Sequence, residues 1–191
     1  MGLYTEGIRQ AQEASEIFER LGYTAVQAEC FIRLACVLLD DEQPDAAEEA
    51  ASRAIDLPEK GDQFLVCEGH RVLGDIYRSK GDTEKAIHHF GVAPEMASPF
   101  NWHSILFWVH FSLAELFLGQ SRFDDAHAQV ERAKSHVINN AYQLGCAMDQ
   151  EARIWYKQGM FEKARLEASH AVDVFEKLGA AQDLGKCREL V

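Results

Sequence analysis

A spacing that returns every 38 to 40 residues constrains this chain more than any other feature, with Ala47, Ala86, Ala126 and Ala164 as its markers. Around the second marker, "RVLGDIYRSKGDTEKAIHHFGVA" (71–93) sets Leu73, Gly74, Tyr77, Gly81, Ala86, Phe90 and Ala93 in one register. The same register holds Leu34, Ala35, Leu38, Ala47, Ala51 and Ala54 in "RLACVLLDDEQPDAAEEAASRA". It holds Leu113, Ala114, Phe117, Phe123, Ala126, Val130 and Ala133 in "SLAELFLGQSRFDDAHAQVERA", and Ala152, Trp155, Gly159, Phe161, Ala164, Ala168 and Ala171 in "EARIWYKQGMFEKARLEASHA". A unit of this length carries two amphipathic helices and cannot bury its apolar face alone, so neighbouring copies must stack to form a continuous core.

A partial copy opens the chain. "YTEGIRQAQEASEIFERLG" (4–22) parallels "FEKARLEASHAVDVFEKLG" (161–179), aligning Ala11 with Ala168, Ala14 with Ala171 and Phe18 with Phe175. The expected organisation is therefore one array over 1–191: a half repeat at 4–22 that supplies only a second helix, repeats at 23–61, 62–98, 99–141 and 142–179, and a capping helix at 180–191. Opening in mid-repeat is what a piece of a longer protein would do, and a shorter gene product is the other expectation. Small residues mark where two helices cross closely. Gly74, Ala35, Ala114 and Ala152 on first helices are expected to face Ala86, Ala47, Ala126 and Ala164 on second helices. "KGDTE" (80–84) and "QGMFE" (158–162) read as short turns with glycine past the helix end. Ser98 before Pro99 reads as a helix cap. Gly91 and Pro94 fall inside a second helix, which is expected to kink or end near Ala93.

Leu73-Gly74-x2-Tyr77 followed by Ala86-x3-Phe90-x2-Ala93 resembles the tetratricopeptide repeat pattern. "EIFERLG", "HRVLGDIYRSKGDTEKAIHHF", "ASPFNWHSILFWVHFSLAELF" and "FEKLGAAQDLGKCREL" further resemble the C-terminal tetratricopeptide arrays of fungal, mushroom-type proteins, which often follow a signal-transduction NTPase module. The resemblance implies an all-α fold, a right-handed α-solenoid of antiparallel helix pairs, and a scaffolding role. No G-x-x-x-x-G-K-[ST] occurs in the chain, so NTPase activity does not transfer. The family's ligand-contacting positions on first helices fall on Glu29, Ile32, Cys36 and Leu39; on Glu68, Arg71, Asp75 and Arg78; on Trp108, Phe111, Glu115 and Leu118; and on Cys146, Asp149, Arg153 and Tyr156. The subclass that grips the acidic C-terminal tails of chaperones has Lys and Asn where this chain has Ile32 and Cys36, and Lys and Arg where it has Trp108 and Ser112. That clamp is absent, which argues against chaperone tails.

Charge narrows the partners. Nineteen Lys and Arg against thirty-one Asp and Glu leave a formal net charge of -12, and no basic run offers phosphates a surface, so neither nucleic acid nor an anionic membrane is expected. "NWHSILFWVHFSLAELFLG" (101–119) is the one stretch apolar enough to raise a membrane span, but only 105–118 is strongly apolar. A span needs about 20 residues, so this is expected to be a buried helix. The five scattered cysteines, Cys30, Cys36, Cys67, Cys146 and Cys187, have no metal-ligand spacing and read as reduced thiols of a cytoplasmic protein.

No catalytic residue, metal site or cofactor is expected. The eight histidines carry no H-E-x-x-H, and His88 and His89 are expected to face solvent or to pack with their hydrogen bonds met. The acidic runs at 40–50 and 122–127 lack the calcium-loop pattern and read as solvated faces. The expected function is a non-enzymatic adaptor that binds a protein, a peptide or a neighbouring domain through the concave groove of its first helices. Its candidate residues are Arg71, Asp75, Arg78, Trp108, Phe111, Glu115, Leu118, Asp149, Arg153 and Tyr156. The alternatives are a small-molecule-sensing array and a self-association module. On the 105–118 helix, Leu106, Val109, His110, Leu113, Ala114 and Phe117 are expected to meet neighbouring helices. Trp108, Phe111 and Leu118 would form a second stripe, either in the groove or in the core.

Overall fold

The computed structural model describes residues 2–57 and 62–188. Residues 58–61, at the expected edge between two repeats, and 189–191, at the end of the expected capping helix, lie outside it. Among the described residues there are ten α-helices, one short 3-10 helix and no strand. The helices form two compact units divided between Asn101 and Trp102. The first holds α1 (Gly2–Leu21), α2 (Thr24–Asp40), α3 (Pro44–Asp56), α4 (Gln63–Ser79), α5 (Thr83–Ala97) and the 3-10 turn Ser98–Phe100. The second holds α6 (His103–Gly119), α7 (Phe123–Ser135), α8 (Ala141–Lys157), α9 (Phe161–Leu178) and α10 (Ala181–Arg188). Within the first unit each helix packs on its sequence neighbour and α2 also meets α4; within the second the same order holds and α6 also meets α8. Short connections make those neighbours antiparallel.

One turn geometry reverses the chain repeatedly. The residue after the C-cap takes a left-handed conformation, and the next amide reaches back to the carbonyl five residues earlier. Asp82 N bonds Tyr77 O at 2.9 Å and Met160 N bonds Trp155 O at 2.9 Å, with Gly81 (φ 76°) and Gly159 (φ 77°) as the left-handed residues. Both glycines stand where the sequence places them. The same bond joins Gln43 N to Leu38 O and Arg122 N to Phe117 O, each at 2.9 Å, but Glu42 (φ 58°) and Ser121 (φ 58°) take the glycine's place. Residues 42, 81, 121 and 159 are thus 39, 40 and 38 residues apart, and each precedes its marker alanine by the same interval.

The marker alanines and the small residues expected to face them are all buried: Ala35, Ala47, Ala86, Ala114, Ala126 and Ala152 are 0% exposed and Ala164 is 1%. At Gly74 the space is filled by Phe90, since a Cβ there would lie 2.4 Å from the Phe90 ring.

Two local expectations are corrected. The second helix of the 62–98 repeat is not cut near Ala93; α5 continues through Pro94 to Ala97. Tertiary contacts hold it: Phe90, Ala93 and Ala97 are at most 1% exposed, and the Cys67 thiol donates to the Ala93 carbonyl at 3.1 Å. Ser98 does not cap the following helix, because its hydroxyl donates back to the Pro94 carbonyl at 2.7 Å and Trp102 precedes α6 without a side-chain cap. On α6 the expected contacts with neighbouring helices hold for Leu106, Val109 and Ala114, which are buried, for His110, whose Nδ1 lies 2.8 Å from Gln129 Oε1 of α7, and for Phe117, which packs on the buried cluster around Ala126 and Val130; Ile105, Phe107, Ser112 and Leu116 are buried besides. A helix apolar on every side gives no amphipathic signal by which to choose its inner face.

Candidate functional site

In the first unit, α4 carries three of the expected binding residues as an ion-pair row at helical spacing. Arg71 Nη2 lies 2.7 Å from Glu68 Oε1 and Nη1 lies 2.9 Å from Asp75 Oδ2, while Arg78 Nη2 stands 3.7 Å from Asp75 Oδ1. Burial opposes the charge on Arg71, but Glu68 and Asp75 outweigh it and hold the guanidinium above its ordinary value. With its side chain 13% exposed, Arg71 is committed to these two carboxylates.

Beside this row, His70 Nδ1 and His89 Nδ1 are 2.9 Å apart and Tyr77 stacks on His89 at 5.3 Å between centroids. One imidazole must donate and the other accept, which excludes charging both. Burial, then His70 and His88, depresses His89 to about 4. His89 therefore packs with its hydrogen bond met, whereas His88 is exposed, so the two adjacent rings divide the two roles expected of them.

In the second unit, α6 and α8 bring their candidate residues around a cavity of about 300 Å³. Trp108, Phe111 and Glu115 enter it from α6, and Tyr142, Cys146, Asp149, Gln150 and Arg153 from α8; Phe175 of α9 and Asp183 of α10 close it. Trp108 and Phe111 meet edge to face at 5.5 Å and also pack against the buried cluster of Phe107, Ala114, Ala126, Val130, Ala133, Ala147 and Ile154. Core and cavity are thus two sides of the same aromatic pair. Leu118 packs against that cluster, and Tyr156, 46% exposed, stacks edge-on with Phe161 at 5.4 Å.

Polar groups organise the cavity. Asp149 accepts from Arg153 Nε at 2.7 Å and from the Cys187 thiol at 2.9 Å. Burial pushes the Cys187 thiol up to about 12 and the Cys146 thiol up to about 11, so neither is a nucleophile near neutrality. Burial raises the Tyr142 phenol as well, with Cys146 and Asp183 adding to it. Gln150 is 2% exposed, yet its amide nitrogen has no hydrogen-bond partner. Tyr142, Gln150, Phe175 and Asp183 fell outside the candidate positions. Tyr142 and Gln150 share a face of α8 with Cys146, Asp149 and Arg153, a signal that helical spacing offers. Nothing local marks Phe175 or Asp183, which arrive from other helices. Among the described residues, no group of three or more His, Cys, Asp or Glu is arranged to hold a metal ion, and no helix is long and apolar enough to cross a membrane.

Paired helices, repeated turns and crossing alanines define a helical repeat protein. The tetratricopeptide repeat family model matches residues 72–91, the segment that carries Gly74, Tyr77, Gly81, Ala86 and Phe90. Over 181 residues the chain is 25% identical to Protein KINESIN LIGHT CHAIN-RELATED 3 of Arabidopsis thaliana; that alignment takes in 91% of this chain but 27% of the plant protein. BtubC (BKLC) from P. vanneervenii superposes with a TM-score of 0.73 at 17% identity, covering all of this chain and 89% of that one. Aspartyl phosphate phosphatase F from Bacillus subtilis superposes with a TM-score of 0.77 at 20% identity, covering 87% of this chain and 44% of that one. At such identities the two structures establish the fold, which is that of tetratricopeptide-type helical arrays. Arrays of this kind are in general protein-interaction scaffolds.

Proposed function

We propose that the chain is a non-enzymatic adaptor that binds an extended peptide segment, from another protein or from a neighbouring domain, along the first-helix face formed by α6 and α8. The observation that supports this is the cavity on that face, where Trp108 and Phe111 present aromatic surface among Glu115, Asp149 and Arg153. Half-exposed aromatics ringed by charge are what interaction hot spots require. In this reading the array acts in the cytoplasm, in keeping with five free cysteines, and serves a larger signalling chain of the kind its fungal resemblance implies.

The test is selection of a random peptide display library on the full chain. Enriched peptides should lose binding to Glu115→Lys and to Trp108→Leu, with circular dichroism confirming that both variants fold. Absence of any enriched peptide, or equal binding to both variants, overturns the reading. A small metabolite that raises the melting temperature and blocks every selected peptide would move the assignment to ligand sensing.

A further inference from the structure

α9 and α1 carry one pattern of residues on faces that are covered to different degrees. In the second unit Ala164, Ala168, Ala171 and Phe175 of α9 are at most 1% exposed. α8 covers the C-terminal end of that row, where a Cβ on Gly145 would lie 2.9 Å from the Phe175 ring and 3.1 Å from Val174 Cγ1. In the first unit the same positions on α1 are Gly7, Ala11, Ala14 and Phe18, and all four are only half-buried. Ile17, which stands where α9 has Val174, is 51% exposed. Since α1 packs on α2 as α9 packs on α10, the face of α1 left open is the one that a first helix takes in every complete repeat.

A matching surface lies on α10. Its opening, "AQDLG" (181–185), repeats the "AYQLG" (141–145) that opens α8, which puts Leu184 and Gly185 in the register of Leu144 and Gly145. Leu184 and Cys187 hold α10 against Ala171 and Phe175 of α9. Gly185 is left exposed. Gly145 is buried beneath Phe175, whereas a Cβ on Gly185 would meet nothing within 4 Å. Among the described residues, then, α10 is a first helix without a second helix across it, and α1 is a second helix without a first. The two surfaces also fit in size: Ile17 and Phe18 repeat the branched side chain and ring that Val174 and Phe175 bring against Gly145, and Gly185 offers the space they need.

We propose that the open face of α1 pairs with α10 of a second copy of this chain, with Gly185 seated over Ile17 and Phe18, so that the two helices complete one repeat between neighbouring molecules. The pairing would continue between copies the contact that α8 and α9 make within one. It is heterologous, because each molecule presents a different surface to each neighbour, and copies therefore join head to tail and not about a two-fold axis. α10 has eight residues against seventeen in α8, and a stable interface buries about 1,600 Å², so this contact is weak and depends on concentration. The inference does not rest on the peptide-binding reading above.

The test is sedimentation velocity on the full chain in about 0.15 M salt, where the screening length is about 8 Å and repulsion between two chains of net charge -12 is cut back. The weight-average sedimentation coefficient should rise with protein concentration up to about 1 mM. Gly185→Gln fills the open space and Ile17→Gln removes the apolar side chain that would enter it. Each should abolish the rise without lowering the melting temperature, since both sites are exposed. Mixed in equal amounts, the two variants should associate again but stop at pairs, because the Ile17→Gln chain keeps its α10 surface and the Gly185→Gln chain keeps its α1 surface. A chain that stays monomeric at every concentration overturns the proposal, as does association that survives both variants. Loss in Ile17→Gln alone overturns it in favour of α1 pairing with α1 about a two-fold axis, and mixed variants that fail to associate overturn it as well.

Discussion

Gly74 and Phe90 illustrate how a repeat accommodates an exchange of volume between two residues. In the other copies the Gly74 position is Ala35, Ala114 or Ala152, and the Phe90 position is Ala51, Val130 or Ala168. Where the second helix carries the large ring, the first gives up its methyl group. Gly74→Ala should therefore destabilise by about 1–2 kcal/mol, because a Cβ would lie 2.4 Å from a ring that is 1% exposed and would have to shift. In a Phe90→Ala background the same change should stabilise by up to about 1 kcal/mol, the helix propensity of alanine over glycine. Urea unfolding of the four proteins in the cycle checks this, and a Gly74→Ala effect of one sign in both backgrounds would refute the coupling. His89 carries a second residue-scale prediction. His70, His88 and Lys85 disfavour its charge and Glu48 favours it, while Tyr77 stacks on its face. Its folded value of about 4 lies below the ordinary 6.5, so the unfolded chain takes up the proton first as pH falls. The stabilisation is complete above 6.5 and is lost as pH falls toward about 4. Replacing both rings in a His70→Gln, His89→Asn variant should flatten the melting-temperature profile between about pH 6.5 and 5, and an unchanged profile would mean other groups govern it.

At the scale of elements, the turns explain why the repeat was legible. A helix pair needs a left-handed residue at one place, and Gly81 and Gly159 announce it in the sequence. Glu42 and Ser121 do not, yet they adopt the same conformation because the helices on either side are fixed by the buried alanines. Left-handed geometry costs a residue with a Cβ about 1–2 kcal/mol, partly offset by the greater unfolded-state freedom of glycine. Glu42→Gly and Ser121→Gly, both at exposed sites, should each raise stability by about 0.5–1 kcal/mol, while Gly81→Ala should lower it by about 1 kcal/mol. Thermal melts of the three variants provide the check; a loss in either glycine variant would show that its turn is not strained. Readings from local rules alone failed where packing took over. Pro94 lies within α5 because its neighbours are buried, and the Ser98 hydroxyl turns back to the Pro94 carbonyl, which its own backbone N–H also reaches. The aromatic face of the cavity was visible on α6 and α8, since helical spacing gathers Trp108 with Phe111 and Asp149 with Arg153. Phe175 and Asp183 were not, because pairing between distant helices leaves no periodic trace in either one.

Over the whole molecule, short-range attraction and long-range repulsion act on different lengths, and salt separates them. Exposed pairs such as Arg33–Glu29 at 2.6 Å and Arg122–Asp125 at 2.7 Å are worth at most about 1 kcal/mol each. Against them stands a net charge of -12, whose mutual repulsion is spread over the full chain. The screening length falls from about 30 Å at 0.01 M salt to about 8 Å at 0.15 M, which removes repulsion between distant carboxylates while leaving contacts of a few ångströms largely in place. The more buried pairs, Arg71 with Glu68 and Asp75 and Arg153 with Asp149, are screened least. Raising sodium chloride across that range should therefore raise the melting temperature, and potassium chloride should do the same, since the effect depends on ionic strength and not on the ion. A melting temperature that falls with salt would instead give the local ion pairs the larger share.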